Sequence, residues 1–185
     1  MSMSFPETLM ISDGYDTANT SNDRLLVRDI SPFQAAVERG DAYAWAAVTE
    51  DWASGDTLIA VENNDTKRDL HIERVVVGTK TTGLAVVHVG TGVAIAGDAA
   101  YTLNLNFGSS KTCSVTAITD ETGNGAAAAS FIGRVKTLGV LANYNYTWNV
   151  RGALILPADC FVAVDAVDDW AGGSATIWGW FEDAQ

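Results

Sequence analysis

YNYTWNVRGALILPADCFVAVDAV, residues 144–167, is apolar enough to lie in a protein core but is interrupted by Pro-Ala-Asp. In its first half, residues 144–156, even-numbered positions are mostly aromatic or aliphatic and odd-numbered positions are mostly polar. Successive side chains of a β-strand point to opposite faces of the sheet, so this period of two indicates a strand. A helix would spread the same apolar residues around its whole circumference.

The second half, CFVAVDAV, is again rich in β-branched and aromatic residues, which favour strands. Pro157 lacks an amide N–H and has a fixed φ, so it suits a turn. A hairpin across Pro-Ala-Asp would set Leu156 opposite Cys160 and Arg151 opposite Asp165. The even face would then stay apolar and the odd face would gain an opposite-charge pair. We therefore predict a long β-hairpin.

Beyond residue 42, segments with the composition of strands alternate with segments rich in turn residues. The predicted strands include AYAWAAVT (42–49), TLIAVEN (57–63), DLHIERVVV (69–77), GLAVVHV (83–89) and, last, ATIWGWFED (175–183). The breaks between them are rich in Gly, Asn, Asp and Ser. About ten short strands without intervening helices indicate an all-β fold, an antiparallel β-sandwich that is jelly-roll-like.

One short helix is predicted before the strands, in SPFQAAVERGD. Ser31 is a good N-cap, Pro32 fits the first helical position and Gln34 completes a capping box. Gly40 follows as the residue that ends the helix. We therefore predict a helix of about two turns over residues 31–40.

Residues 1–30 differ in character from the rest of the chain. The apolar island FPETLMI precedes the polar, turn-rich SDGYDTANTSND, and such a segment cannot bury enough surface to order itself alone. It is either a frayed terminus or an arm that orders on a neighbour, docking through Phe5, Leu9, Met10 and Ile11. The predicted domains are an extended N-terminal arm (1–30), the short helix (31–40) and a β-sandwich domain (41–185).

The composition limits the classes of partner. The chain has 11 Lys and Arg against 23 Asp and Glu, a net charge of −12, which disfavours nucleic acid and an anionic membrane surface as partners. Charged residues make up 18% of the chain, below the roughly 25% typical of soluble domains. A β protein with so little charge is expected to cover part of its apolar surface with partner subunits.

The N-terminal sequence MSMSFPETLMISDGYD lacks the basic start and long apolar run of a secretory signal. We therefore expect the chain to be made in the cytosol. In that compartment Cys113 and Cys160 are expected to be buried thiols rather than a disulfide.

Groups that could carry catalysis or hold a metal are sparse. His71 and His88 lie on consecutive predicted strands and could approach each other across a hairpin, with Asp69 and Glu73 as further metal ligands. The alternation in DLHIERV instead describes a sheet with His71 and Glu73 on its solvated face. The sequence has no nucleophile-elbow or phosphate-loop pattern. We therefore expect no enzyme, no cofactor and no metal site.

The tryptophans are the remaining candidates for a binding site. Trp148 falls on the inward face of its strand and is expected to be core. Trp178 and Trp180 share one face of the last strand, whose other face is also apolar, so this strand is expected to be covered on both sides. Trp52 and Trp170 lie in the polar turns EDWASGD and DDWAGGS. Exposed there, they would anchor a protein interface, pack within the loops or stack on a sugar, in that order of preference.

Three segments together resemble the small β-sandwich virion proteins of tailed bacteriophages. TLIAVENNDTKRDLHIERVVVG resembles a strand, an Asn-containing loop and a following strand of those proteins. GALILPADCFVAVDA resembles their late ILPPG hairpin, with Ala158 and Asp159 in place of the Pro-Gly, and ATIWGWFED is similar to their final strand. The resemblance covers roughly residues 42–183.

This resemblance implies a capsid decoration (cement) protein on the outer surface of a phage head, or less often a head-fibre or tail component. It implies the major capsid protein as partner and self-association as a homotrimer. The alternative is a carbohydrate- or receptor-binding module that uses Trp52, Trp170 or nearby tyrosines to bind a glycan.

Overall fold

The computed structural model describes residues 18–21, 24–27, 30–49, 51–91, 97–120 and 131–184. Two short strands precede the helix: β1 Ala18–Ser21 and β2 Arg24–Val27, followed by α1 Pro32–Arg39. Further strands follow: β3 Ala42–Thr49, β4 Thr57–Asn63, β5 Arg68–Thr79, β6 Gly83–Thr91, β7 Asp98–Ala99, β8 Tyr101–Asn104 and β9 Val115–Asp120. The last four strands are β10 Phe131–Val140, β11 Tyr144–Leu156, β12 Cys160–Ala166 and β13 Gly173–Asp183.

The strands from β3 onward form an antiparallel β-sandwich. One sheet has five strands in the order β11-β5-β13-β3-β8, and the other has six in the order β10-β6-β12-β4-β9-β7. The prediction of an all-β sandwich with a short helix is confirmed. Eight strands pair in a nested order, the first with the last: β3 with β13, β4 with β12, β5 with β11 and β6 with β10. From β3 to β6, and again from β10 to β13, each strand lies in the opposite sheet from the one before it.

This crossing overturns the predicted hairpin over residues 144–167. β11 pairs with β5 in the five-stranded sheet, whereas β12 pairs with β4 and β6 in the six-stranded sheet. The Pro-Ala-Asp segment is thus a connection between sheets. Arg151 is exposed and has φ 55°, whereas Asp165 is buried and hydrogen-bonded to Thr57 and His88. The expected Arg151–Asp165 pair does not form.

The apolar faces of the two strands meet across the core rather than side by side. Val150 and Leu156 of β11 and Val162 and Val164 of β12 belong to one buried cluster between the sheets. The inward positions of β11 are the even-numbered Tyr146, Trp148, Val150, Leu154 and Leu156, as predicted, and Trp148 is half-buried against this cluster. Tyr144 is exposed, and Gly152 faces Trp180 on the outer side of the sheet. An apolar face is removed from water equally well by either arrangement, so the alternation could not distinguish them.

Helix α1 begins and ends as its sequence predicts. The Ser31 hydroxyl accepts a hydrogen bond from the Gln34 N–H at 3.1 Å, which satisfies a backbone donor of the first turn. Gly40 has φ 77°, and its N–H donates to the last turn of the helix. A Cβ added to Gly40 would lie 2.2 Å from the Ser109 Oγ, so a side chain there would also displace the loop that packs on the helix end.

Polar side chains fasten the two sheets at one end of the sandwich. The Asn63 side chain is fully buried and donates to the carbonyl oxygens of Arg68 and Leu156, both at 2.9 Å. These carbonyls belong to the five-stranded sheet, whereas Asn63 ends β4 of the six-stranded sheet. The Asp159 N–H also donates to the Asn63 carbonyl at 2.8 Å, with Asp159 at φ 62°. Asn63 thereby holds the crossing from β11 to β12.

The described part of the first 30 residues contains a short hairpin. β1 pairs with β2 in a two-stranded antiparallel sheet, with Ala18 opposite Val27 and Ser21 opposite Arg24. Within the described residues this sheet is separate from the two sheets of the sandwich. The proposed docking residues Phe5, Leu9, Met10 and Ile11 lie outside the described residues.

Candidate functional site

The outer face of the five-stranded sheet is organised in rows that run across the strands. One row joins Thr147, Val76, Thr176, Ala46 and Tyr101 through the pairing of β11, β5, β13, β3 and β8. The residues on either side of it in β5, β3 and β13 belong to the core cluster, so this row faces away from the core.

Two further rows flank the first. One contains Asn145, Gly78, Ser174 and Val48. The other contains Asn149, Arg74, Trp178, Ala44 and Leu103. We call these three rows the neutral face, because Arg74 is the one charged residue among them.

The charge of Arg74 is placed against an aromatic ring. Its guanidinium carbon lies 3.8 Å from the ring centroid of Trp178, a cation–π geometry. In a chain with 23 acidic residues, all three described rows lack a carboxylate. The neutral face is therefore a region where another surface can approach without directly opposing a carboxylate of these rows. The residue before Arg74 in β5 is Glu73, which is half-buried at a register shift beside the face.

The neutral face exposes large apolar side chains to solvent. Tyr101 is 77% exposed, Val48 69% and Leu103 47%. Single exposed apolar residues are common, but several on adjoining strands with no charge between them are typical of interaction surfaces.

Part of the remaining outer face, around Trp180, is closed by α1. Trp180 is 4% exposed and packs with Ala36 of the helix and Ala42 of β3. The Phe33 ring meets Trp180 edge-on at 5.8 Å, and the His71 ring stacks on it at 5.1 Å. The expectation that β13 is covered on both faces is thus confirmed at Trp180, while Trp178 is half-buried at the margin of the neutral face.

A loop between β8 and β9 extends the neutral face at its edge. Phe107, in the segment NFGSSKT, is 84% exposed. Asn106 donates its side-chain amide to the Glu38 carbonyl of α1 at 3.1 Å, and its side-chain oxygen accepts from the Gly108 N–H at 3.1 Å. The loop is therefore attached to the helix that closes the other half of the face.

A cluster of ion pairs supports the base of this loop. Asp41 accepts from the Lys111 Nζ at 3.0 and 3.1 Å and lies 3.3 Å from Arg68 and 3.5 Å from Arg39. Arg68 also pairs with Asp65 at 2.7 Å. Burial acts to raise the pKa of Asp65, but hydrogen bonds from the Lys67 N–H and from Arg68 outweigh it and hold that pKa below its ordinary value.

The outer face of the six-stranded sheet is different, because ionisable groups are buried in it. Asp165 is 5% exposed and His88 6% exposed, and the His88 Nδ1 lies 2.8 Å from an Asp165 oxygen. The other oxygen accepts from the Thr57 Oγ1 at 2.9 Å. Beside this network Ala60, Phe161 and neighbouring residues form a second buried apolar cluster.

Trp52 and Trp170 are not exposed in turns, which corrects the expectation that they present rings to a partner. Both side chains are fully buried and their rings meet edge-on at 6.3 Å. Their backbones form an isolated bridge, with N–H to carbonyl distances of 2.9 and 2.7 Å. The polar neighbours serve the turns themselves, since Asp56 accepts from the Ala53 N–H and Asp169 from the Ser54 N–H. Packing within the loops is the alternative that the structure supports.

The structure also separates the two histidines. His71 lies on β5 and His88 on β6, which belong to different sheets, so the hairpin approach considered for a metal site is wrong. His71 is half-buried against Trp180 rather than fully solvated. In the described ranges no group of three or more His, Cys, Asp or Glu side chains could hold a metal ion.

Both cysteines are free thiols, and they are half-buried rather than buried as expected. Burial raises the pKa of the Cys113 thiol. Burial, and then the carboxylates of Asp159 and Asp69, raise the pKa of Cys160. A raised pKa keeps a thiol protonated and weakly nucleophilic.

Comparison of the chain with protein-family models, with curated proteins and with solved structures found no match. Within the described residues no helix is both long and apolar enough to cross a membrane. Function is therefore inferred from the geometry of the neutral face, the loop at its edge and the charge around them.

Proposed function

We propose that the chain is a structural virion protein, a capsid decoration (cement) protein that binds and stabilises the outer surface of a phage head. The observation that carries the proposal is the neutral face, an exposed sheet surface without carboxylates on an acidic protein. The resemblance in sequence supports the same function, and the nested strand pairing supports a jelly-roll fold. The proposed partners are the major capsid protein and further copies of this chain.

The distribution of charge supports a protein surface as the partner. A net charge of −12 repels nucleic acid and anionic lipid. Uncharged and aromatic side chains, such as Tyr101 and Leu103, suit the centre of a protein interface, from which charged residues are depleted.

The size of the neutral face supports binding by several linked copies. Five strands about 4.8 Å apart and three rows about 7 Å apart give an area of about 500 Å². A stable interface commonly buries about 800 Å² on each partner. A single copy would therefore bind weakly, and a homotrimer that engages a repeating shell would gain affinity by avidity.

The test uses empty heads assembled from the major capsid protein of the same virus. A Val48→Asp, Tyr101→Asp double variant places two unpaired carboxylates on the neutral face. We expect co-sedimentation with heads to weaken at least about 10-fold, because charges without partners would be desolvated on binding. Both positions are exposed, so the free energy of unfolding should change little for each.

Val135→Asp is the matched control, since Val135 is 44% exposed on β10 of the other sheet. This variant should bind heads as the unmodified chain does. Unmodified protein that does not bind heads would contradict the proposal. A double variant that binds as tightly as the Val135→Asp control would show that the neutral face is not the contact.

The carbohydrate-binding alternative has lost its main residues, because Trp52 and Trp170 are buried. Tyr101 and Tyr144, which is 69% exposed, are tyrosines that a sugar could reach. No described contact favours a glycan over a protein at either position, so we propose only the structural function.

A further inference from the structure

We infer that the loop between β8 and β9 is a preformed anchor that inserts Phe107 into an apolar pocket of a protein partner. The inference rests on the proposed function, in which that partner is the shell subunit. It adds to the neutral face a specific side chain, a mode of contact and the chemistry of the complementary site.

The exposure of Phe107 has no structural use within the described chain. With 84% of its surface accessible, the ring gains almost nothing from the fold. Its neighbour Leu105 packs with Trp180 beneath α1, so the loop already has an apolar residue that attaches it. Aromatic side chains are prominent among the residues that dominate binding energy at protein interfaces.

The loop holds this ring in place through its own polar groups. Asn104 donates its amide to the Gly40 and Lys111 carbonyls, and its side-chain oxygen accepts from the Asn106 N–H. Ser109 donates its N–H to the Asn106 carbonyl, and its hydroxyl accepts from the Lys111 N–H. With Asn106 bound to α1 and Lys111 to Asp41, the loop is fastened at both ends.

The hydrogen bonds and the ion pair that order this loop are expected to favour binding through Phe107. A loop ordered before contact loses little conformational entropy when it binds, and this raises its affinity. The polar groups in NFGSSKT are therefore best explained as supports for Phe107.

The surroundings of Phe107 define the complementary site. The tip, Asn106 to Ser110, carries no charge, and the loop is continuous with Leu103 of the neutral face. On the partner, an apolar pocket with an uncharged rim would match the loop tip, and a flat, apolar surface beside that pocket would match the neutral face. An anionic lipid surface matches less well, because the chain as a whole is strongly negative.

The experiment compares head binding by the unmodified chain, Phe107→Ala and Leu141→Ala. Leu141 is 63% exposed in the turn before β11, at the opposite end of the strands from this loop. We expect Phe107→Ala to weaken binding about 30-fold, as for an anchor residue, with an unchanged melting temperature. Leu141→Ala should leave both unchanged.

An Asn106→Ala variant tests the fastening separately. It keeps Phe107 but removes the bonds to Glu38 and Gly108, so binding should weaken about 3-fold to 10-fold. Unchanged binding by Asn106→Ala would overturn the claim that the loop is preformed for contact.

The outcomes distinguish the inference from the proposed function. If the unmodified chain binds heads and Phe107→Ala binds equally well, the anchor is overturned and the proposed function stands. If the unmodified chain does not bind heads, both are overturned. Flotation with vesicles of phosphatidylcholine and phosphatidylglycerol, lost in Phe107→Ala, would overturn the protein pocket in favour of a lipid surface.

Discussion

The outer faces of the two sheets use their side chains in opposite ways. On the six-stranded sheet the outer face buries His88, Asp165 and Thr57 in one hydrogen-bonded network. On the five-stranded sheet the neutral face leaves Val48 and Tyr101 in water and carries no carboxylate. Buried polar groups must find partners within the fold, whereas exposed apolar groups gain free energy only when another surface covers them. The first face therefore stabilises the fold, and the second is available for contact.

The largest effect is expected where the buried network is broken. Asp165→Ala removes the buried carboxylate that accepts from the Thr57 hydroxyl and lies 2.8 Å from the His88 Nδ1. We expect the free energy of unfolding, measured by urea titration, to fall by about 3–4 kcal/mol. Asp183→Ala, at an exposed position at the end of β13, should stay within about 0.5 kcal/mol. Equal stability of the two variants would remove the distinction between the faces.

A smaller loss is expected at the closed part of the other outer face. Gly152 has φ 73°, and a Cβ there would lie 2.4 Å from the Trp180 ring. Gly152→Ala should cost about 2–3 kcal/mol, from the left-handed backbone and from the displaced ring together. The same urea titration reports it.

Gly55→Ala isolates the backbone contribution to that loss. Gly55 has φ 96°, but no atom lies within 4 Å of its added Cβ, so about 1 kcal/mol is expected. A Gly152→Ala loss no larger than that of Gly55→Ala would mean that Trp180 gives way without cost, and that α1 closes this part of the face loosely.

The smallest effect concerns pH at the six-stranded sheet. Burial, and then Asp159, raise the pKa of Glu62 above its ordinary value of 4.5. The contribution of Glu62 to stability is therefore fully present below pH 4.5 and is lost as pH rises through the raised pKa. Glu62→Gln should consequently be slightly more stable than the unmodified chain at pH 7, with no advantage below pH 4.5.

Asp65→Asn is the control of opposite sign. The pKa of Asp65 is held below 3.8, so its stabilisation is present above pH 3.8 and is lost as pH falls through the lowered pKa. Unfolding titrations at pH 7 and below pH 3.8 should show that Asp65→Asn is less stable than the unmodified chain at pH 7. A Glu62→Gln variant that is destabilised at pH 7 would contradict the origin given for its pKa.

Local sequence signals predicted the elements well but their partners poorly. The strands at 42–49 and 57–63 and the helix that follows Ser31 lie where the sequence places them. The hairpin over residues 144–167 is wrong although both of its strands are present. Alternation reports which side chains avoid water, and a sandwich satisfies that condition by facing two sheets as well as by pairing two strands.

The tryptophans in turns also show that local sequence does not predict tertiary contacts. Polar neighbours suggested that Trp52 and Trp170 would be exposed, yet those neighbours bind the turn backbones and leave the rings free to pack together. For the neutral face the sequence offered only weak signals, such as the lack of charge in AYAWAAVT and the isolated Phe107.

The amino-acid sequence alone is enough to predict the main strands, the inward face of β11, the ends of α1 and the scarcity of charge. These properties depend on each residue and its near neighbours, through alternation, capping and composition. The fold, by contrast, brings together in one row Thr147, Val76, Thr176, Ala46 and Tyr101. It also decided that Asp165 meets His88 and that Trp52 meets Trp170. Residues far apart in the chain become neighbours through the pairing of whole strands, which no local pattern specifies.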